Sequence, residues 1–128
     1  MPRRAFHSQG APNAIGPYSQ AVQVPAGALT FLSGQIPIDP RTGELVAGDA
    51  AVQTQRVMEN LKAVLAAAGL NFGHVVRCAI YLADLKDFAT VNEVYGRYFE
   101  APPPARSTFQ AAGLPKGAKL EIDAIAVS

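Results

Sequence analysis

Between Asp49 and Val127 the apolar residues repeatedly change spacing, from a helical period to a strand period and back. A chain that does this has to lay helices against a sheet. After Asp49, a natural helix cap, Val57, Leu61, Val64, Leu65 and Ala68 mark one helix face, opposite Gln55, Glu59 and Lys62. Gly69 offers the left-handed conformation that ends a helix. Val75 to Leu82 alternates as a strand does, with Val76, Cys78, Ile80 and Leu82 on one side and Val75, Arg77, Ala79 and Tyr81 on the other. A second helix, capped by Asp84 or Asp87, carries Phe88, Val91, Val94, Tyr95 and Tyr98 and is expected to end at Pro102-Pro103-Pro104.

Strand formers flank this middle region. Ala21-Val22-Gln23-Val24 and Leu29-Thr30-Phe31-Leu32, split by the turn Pro25-Ala26-Gly27, are expected to form a hairpin. Two further strands are expected at Ala105–Gln110 and Lys119–Val127, joined across Gly113, Pro115 and Gly117. The order strand, strand, helix, strand, helix, strand, strand gives an α+β fold: a mixed sheet with two helices on one face. The 128 residues suit one domain, 1–128. Two helices cannot cover both sides of such a sheet, yet Ala124-Ile125-Ala126-Val127 is apolar on both faces. Partner chains are therefore expected, as a homo-oligomer.

Composition removes several function classes. With 11 basic and 10 acidic residues the net charge is +1, without a basic cluster, so nucleic acid is not an expected partner. No apolar run reaches the length of a membrane span or follows the basic Met1-Pro2-Arg3-Arg4. No membrane partner and a cytoplasmic address are therefore expected. The one cysteine, Cys78, cannot form a disulfide within the chain and reads as a buried, inert thiol. There is no phosphate-binding glycine loop. His7, His74 and Cys78 do not fit a metal-ligand spacing, so neither metal nor cofactor is expected. His74 reads as a turn residue facing solvent.

The C-terminal strands carry more chemistry. Alternation puts Arg106, Thr108 and Gln110 on one face of their strand, and Ala105, Ser107 and Phe109 on the other. Arg106 is either an ordinary surface or ion-paired arginine or a fixed fork that clamps a carboxylate through two hydrogen bonds. Glu121 and Asp123 share a face of the last strand, about 7 Å apart. Asp123 reads as a polar sheet position, while Glu121 could face the same pocket as Arg106 and there hold a water or take its proton. Tyr18, after Gly16-Pro17, is either packing or a phenol held at a site.

Five blocks in order extend this reading. They are Ile15-Gly16-Pro17-Tyr18-Ser19-Gln20-Ala21, Ser33-Gly34-Gln35-Ile36-Pro37, Ala67-Ala68-Gly69-Leu70, Asp87-Phe88-Ala89-Thr90-Val91-Asn92, and the stretch from Pro104-Ala105-Arg106-Ser107 through Leu114-Pro115-Lys116 to Leu120-Glu121-Ile122-Asp123-Ala124. Through them the chain resembles the RidA/YjgF family of imine deaminases from about Phe6 to Val127. The resemblance implies a chorismate-mutase-like fold, a homotrimer with active sites between subunits, and hydrolysis of 2-imino acids such as 2-iminobutanoate and 2-iminopropanoate, or their enamine tautomers, to 2-keto acids and ammonia. It implies that Arg106 binds the substrate carboxylate, that Tyr18 and Glu121 stand beside the reacting carbon and its water, and that Ser33, Gly34 and Asn92 line the pocket. Thr108 stands where the archetypal deaminases often carry cysteine, which bears on substrate range. Two other functions remain: a non-catalytic protein that senses small carboxylates in the same pocket, and a ribonuclease or translation inhibitor, against which the near-neutral charge argues.

Overall fold

In the computed structural model, which describes residues 3–128, the first helical stripe becomes α1, Ala50–Ala67. Asp49 caps it by accepting from the Val52 N–H at 3.0 Å. Its end closes as expected: Gly69 adopts φ 74°, its N–H bonds the Ala66 carbonyl, and the Leu70 N–H bonds that of Leu65. The buried face is Thr54, Val57, Met58, Leu61 and Leu65, whereas Val64 and Ala68, expected on it, are exposed. Thr54 can be buried because its hydroxyl donates to the Ala50 carbonyl, which satisfies it locally.

Six strands accompany the helices: β1 (Arg4–Phe6), β2 (Ala21–Gln23), β3 (Leu29–Gln35), β4 (Val75–Leu82), β5 (Ala105–Gln110) and β6 (Leu120–Val127). The second helix, α2, runs Phe88–Gly96. It ends well before the three prolines. Asp84 caps the short 3-10 turn ahead of it by accepting from the Lys86 N–H, and Asp87 makes no side-chain cap.

The main sheet has the order β3-β6-β4-β5. Strand β6 is antiparallel to both β3 and β4, and β4 is parallel to β5. Thus β3 and β4 also run parallel, with β6 inserted between them. Each parallel step needs a crossover, which α1 and α2 supply. Both helices cover the face made by Leu32, Cys78, Ile80, Leu82, Leu120, Ile122, Ala124 and Ala126. An irregularity between Val75 and Arg77 shifts the parity of β4, so Val75, not Val76, is buried with this set.

The expected hairpin of β2 with β3 does not form. Strand β2 pairs with β1, and β3 pairs with β6. Long-range pairing wins because Thr30 and Leu32 set against Ala126 and Ala124 complete the buried face. The three residues of β1 are too short to announce a strand. Arg3 fixes them in place, donating to the carbonyls of Phe72, Gly73, Val75, Glu100 and Pro102. Among the described residues no helix is long and apolar enough to cross a membrane.

The other sheet face is uncovered in one chain. Phe31 is 70% exposed, Leu29 60% and Phe109 48%, around the half-buried Ala79, Tyr81 and Ile125. Cys78, on the covered face, is shut away, and burial pushes its thiol up to about 12. We expect no reaction of the native protein with Ellman's reagent at neutral pH and one thiol equivalent after denaturation; rapid native labelling would contradict the packing.

Candidate active site

Strand pairing decides which way each candidate side chain points. On β5, Arg106 is registered with Cys78 and Thr108 with Ile80, both on the helix side. Arg106 therefore lies under α2, as alternation along the strand requires. Asn92 of α2 accepts from Arg106 Nη1 at 2.7 Å. Three rings surround the guanidinium carbon: Tyr95 at 5.2 Å, Tyr18 at 5.3 Å and Phe88 at 5.8 Å from their centroids. Gly16 packs so closely that a Cβ there would stand 3.2 Å from Arg106 Nη2.

Tyr18 reaches this cluster because its segment is tied to the chain entering β5. The Ser19 N–H bonds the Pro104 carbonyl, and the Ser19 hydroxyl donates to that of Pro103 at 2.5 Å. The Tyr18 hydroxyl accepts from the Ile15 N–H at 3.2 Å, which leaves its own proton free to donate outward.

Burial lowers the pKa of two arginines, Arg3 and Arg106, and it is Arg106 whose N–H donors are not already taken by carbonyls. It is half-buried, and burial pulls its pKa below the ordinary value, opposed by the neighbouring Tyr95, Cys78 and Tyr18 groups. Arginine stays charged through such a shift. Yet the ion pairs among the described residues, Arg41 with Asp39 and Arg97 with Glu93, lie elsewhere. A half-desolvated cation with one neutral hydrogen-bond partner has donors left for an anion. Thr108 contributes differently. Its Oγ1 is buried without a hydrogen-bond partner, so the half-buried side chain contributes bulk and no polar contact within the chain.

Glu121 lies elsewhere. It is registered with Tyr81 on the uncovered face, and β4 separates its strand from that of Arg106, roughly 10 Å across the sheet. Within one chain Glu121 and Arg106 therefore point to opposite sides of the sheet, so a pocket that holds both is not formed by a single chain. Glu121 instead lies over Gly34, where β3 is bulged, and a Cβ on Gly34 would run into its carboxylate, 2.8 Å from Cδ. Ser33 and Gly34 are exposed on this second cluster. Asp123, on the same face, accepts from the Tyr81 hydroxyl at 2.9 Å, as a structural polar pair. His74 is also structural: its ring accepts from the Asn71 N–H in a capping box.

The chain thus presents two separate clusters on opposite faces of the sheet: Arg106 with Tyr18 and Asn92, and Glu121 over Gly34 beside Ser33. Two depressions of the surface have neither Arg106 nor Glu121 in their walls. One is lined by Arg3, Phe72, Tyr98 and Pro102, another by Gly34, Ile36, Arg56 and Asn60 beside the bulge. Phe88, Tyr95 and Gly16 escaped sequence reasoning as site residues. The signal was present for the first two, since Phe88, Asn92 and Tyr95 fall at spacings of four and three on one helix face.

The contact of Gly34 with Glu121 makes a prediction. No positive φ requires glycine at position 34; the carboxylate above it does. Gly34→Ala should therefore fold normally but displace Glu121, and steady-state kinetics should show kcat falling at least about tenfold, toward the level of Glu121→Gln. Full kcat in Gly34→Ala would show that the placement of this carboxylate is immaterial.

Residues 8–128 match the family model described as Endoribonuclease L-PSP. Protein DfrA of Myxococcus xanthus is 70% identical over 100% of this chain and 98% of its own. The 2-iminobutanoate/2-iminopropanoate deaminase of Homo sapiens is 46% identical over 98% of this chain and 90% of its own. Among solved structures, E. coli TdcF with bound serine is similar with a TM-score of 0.75 and 48% identity, covering 98% of each chain.

Proposed function

This chain belongs to the RidA/YjgF (Endoribonuclease L-PSP) family, and from that premise we infer that it hydrolyses reactive 2-imino acids, 2-iminobutanoate and 2-iminopropanoate, or their enamine tautomers, to 2-keto acids and ammonia. The observation that carries the reading is the half-buried Arg106 guanidinium without a carboxylate partner among the described residues, held by Asn92 and three rings. Such a fork suits a planar carboxylate, the group every 2-imino acid carries beside its reacting carbon.

The same site needs a second chain. A homotrimer would set Arg106, Tyr18 and Asn92 of one subunit against Ser33, Gly34 and Glu121 of the next, and the exposed Leu29, Phe31 and Phe109 favour burial of the open sheet face in that assembly. The chemistry then asks little. The substrate carboxylate sits on Arg106. Glu121 takes a proton as water adds to the C=N carbon, giving a tetrahedral carbinolamine. Glu121 then relays the hydroxyl proton to nitrogen, the C–N bond breaks, and ammonia leaves as the C=O bond forms. Tyr18, whose oxygen is already engaged by the Ile15 N–H, donates toward the substrate or the water. Thr108 beside Arg106 bounds the space for the substrate side chain, and its bulk is a determinant of imine preference.

RNA cleavage finds less support, because 11 basic residues against 10 acidic ones leave no field to gather phosphates. The deciding experiment generates 2-iminobutanoate in place with an amino-acid dehydratase or oxidase and times 2-ketobutyrate formation with and without the protein. Acceleration is expected. An unchanged rate alongside 2-ketobutyrate binding would make the protein a carboxylate sensor instead.

A further inference from the structure

We propose that Tyr95 and Phe88 are positioning residues: their ring faces hold the Arg106 guanidinium so that its N–H donors stay free for the substrate carboxylate. This rests on the functional reading above. A charged fork needs something to fix it, and the usual device is a carboxylate. Here a carboxylate would occupy the same N–H groups that the substrate needs. An aromatic face attracts a cation through its quadrupole and consumes no N–H donor.

The geometry fits that solution. Helix α2 presents Phe88, Asn92 and Tyr95 on one face, and all three meet the guanidinium. Asn92 takes one N–H of Nη1, and the rings take none. Tyr95 is wholly buried, so it backs the arginine and does not meet the substrate. Its ring rests on Phe99 at 4.8 Å, which packs against Phe72 at 5.2 Å, so the backing is continuous with a fixed aromatic cluster. The Tyr95 hydroxyl is buried without a hydrogen-bond partner, which points to the ring as the working part.

The test compares Tyr95→Leu, Tyr95→Phe and Phe88→Leu in the intact oligomer, reading KM and kcat on imines generated in place and the Kd of 2-ketobutyrate by calorimetry. Tyr95→Leu should raise KM and Kd about tenfold with kcat within about twofold, because it weakens carboxylate binding equally in ground and transition states. Tyr95→Phe should restore both constants, with a Tm at or above that of the parent. Phe88→Leu, at a less buried ring, should raise both about threefold, and it keeps the proposal testable if Tyr95→Leu does not fold. Val57→Ala, a core change on α1, which carries none of the site residues, controls for lost stability and should leave Kd unmoved. Unchanged constants in the folded Leu variants, failure of Tyr95→Phe to restore binding, or an equal rise in Val57→Ala would each overturn the proposal. A parent that binds 2-ketobutyrate without hydrolysing imines would defeat the deaminase reading alone; a parent that does not bind it would defeat both.

Discussion

Arg106→Met lowers kcat/KM for imine hydrolysis by about 10²–10³-fold while the protein stays folded. The size follows from the lost contact. A charge-assisted hydrogen bond contributes about 1.5–3 kcal/mol, and a fork makes two that are not fully additive. A loss of roughly 3–4 kcal/mol is two to three decades in rate. The fold survives because Arg106 holds little of it together. Its side chain makes one hydrogen bond, to Asn92, and removing it strands no buried carboxylate. Methionine fills the space among Tyr18, Phe88 and Tyr95 with a flexible apolar chain. Arg106→Lys separates charge from geometry: it keeps the cation and loses the planar fork, so it should recover only a small part of the activity. The measurements are kcat/KM and Tm on both variants. Near-parental kcat/KM in Arg106→Met would remove the carboxylate clamp from the mechanism. The clamp does not set a pH optimum near neutrality, since arginine remains a cation there even with its pKa pulled down by burial.

How much of this was legible in the sequence depended on whether a feature is local. The cap at Asp49, the helix face through Val57, Leu61 and Leu65, and the stop at Gly69 rest on residues within a few positions of each other, and each appears as expected. So does the alternation of Arg106, Thr108 and Gln110, because a strand fixes that by itself. Partner choice is not local. Strand β3 left its sequence neighbour β2 for β6, nearly a hundred residues away. That Arg106 and Glu121 lie on opposite faces of one chain's sheet is illegible for the same reason. Each strand shows which residues share a side, but only the order β3-β6-β4-β5 and its register show that these two sides are opposite. Tyr95 was legible as an apolar helix position and illegible as part of the site, because a ring that packs in the core and a ring that backs an arginine leave the same mark on helical periodicity.

That opposition gives the sharpest test of the assembly. Suppose every active site combines Arg106 of one subunit with Glu121 of the next around a ring. Arg106→Ala and Glu121→Gln homotrimers are then both inactive, since every site lacks one group. Mixed trimers are different. A site is complete wherever a subunit retaining Arg106 precedes one retaining Glu121. In a random equal mixture, each condition is met about half the time, so roughly a quarter of sites should be whole. Unfolding the two inactive proteins together and refolding them should therefore restore roughly a quarter of parental activity, whereas mixing the folded proteins briefly should restore none. Light scattering on the same samples checks that the ring has formed. If one chain carried a complete site, no mixing would help, because every subunit would remain defective on its own. Recovery thus requires that the two faces of the sheet belong to two different active sites, and that a lone chain, however well folded, has no site to work with.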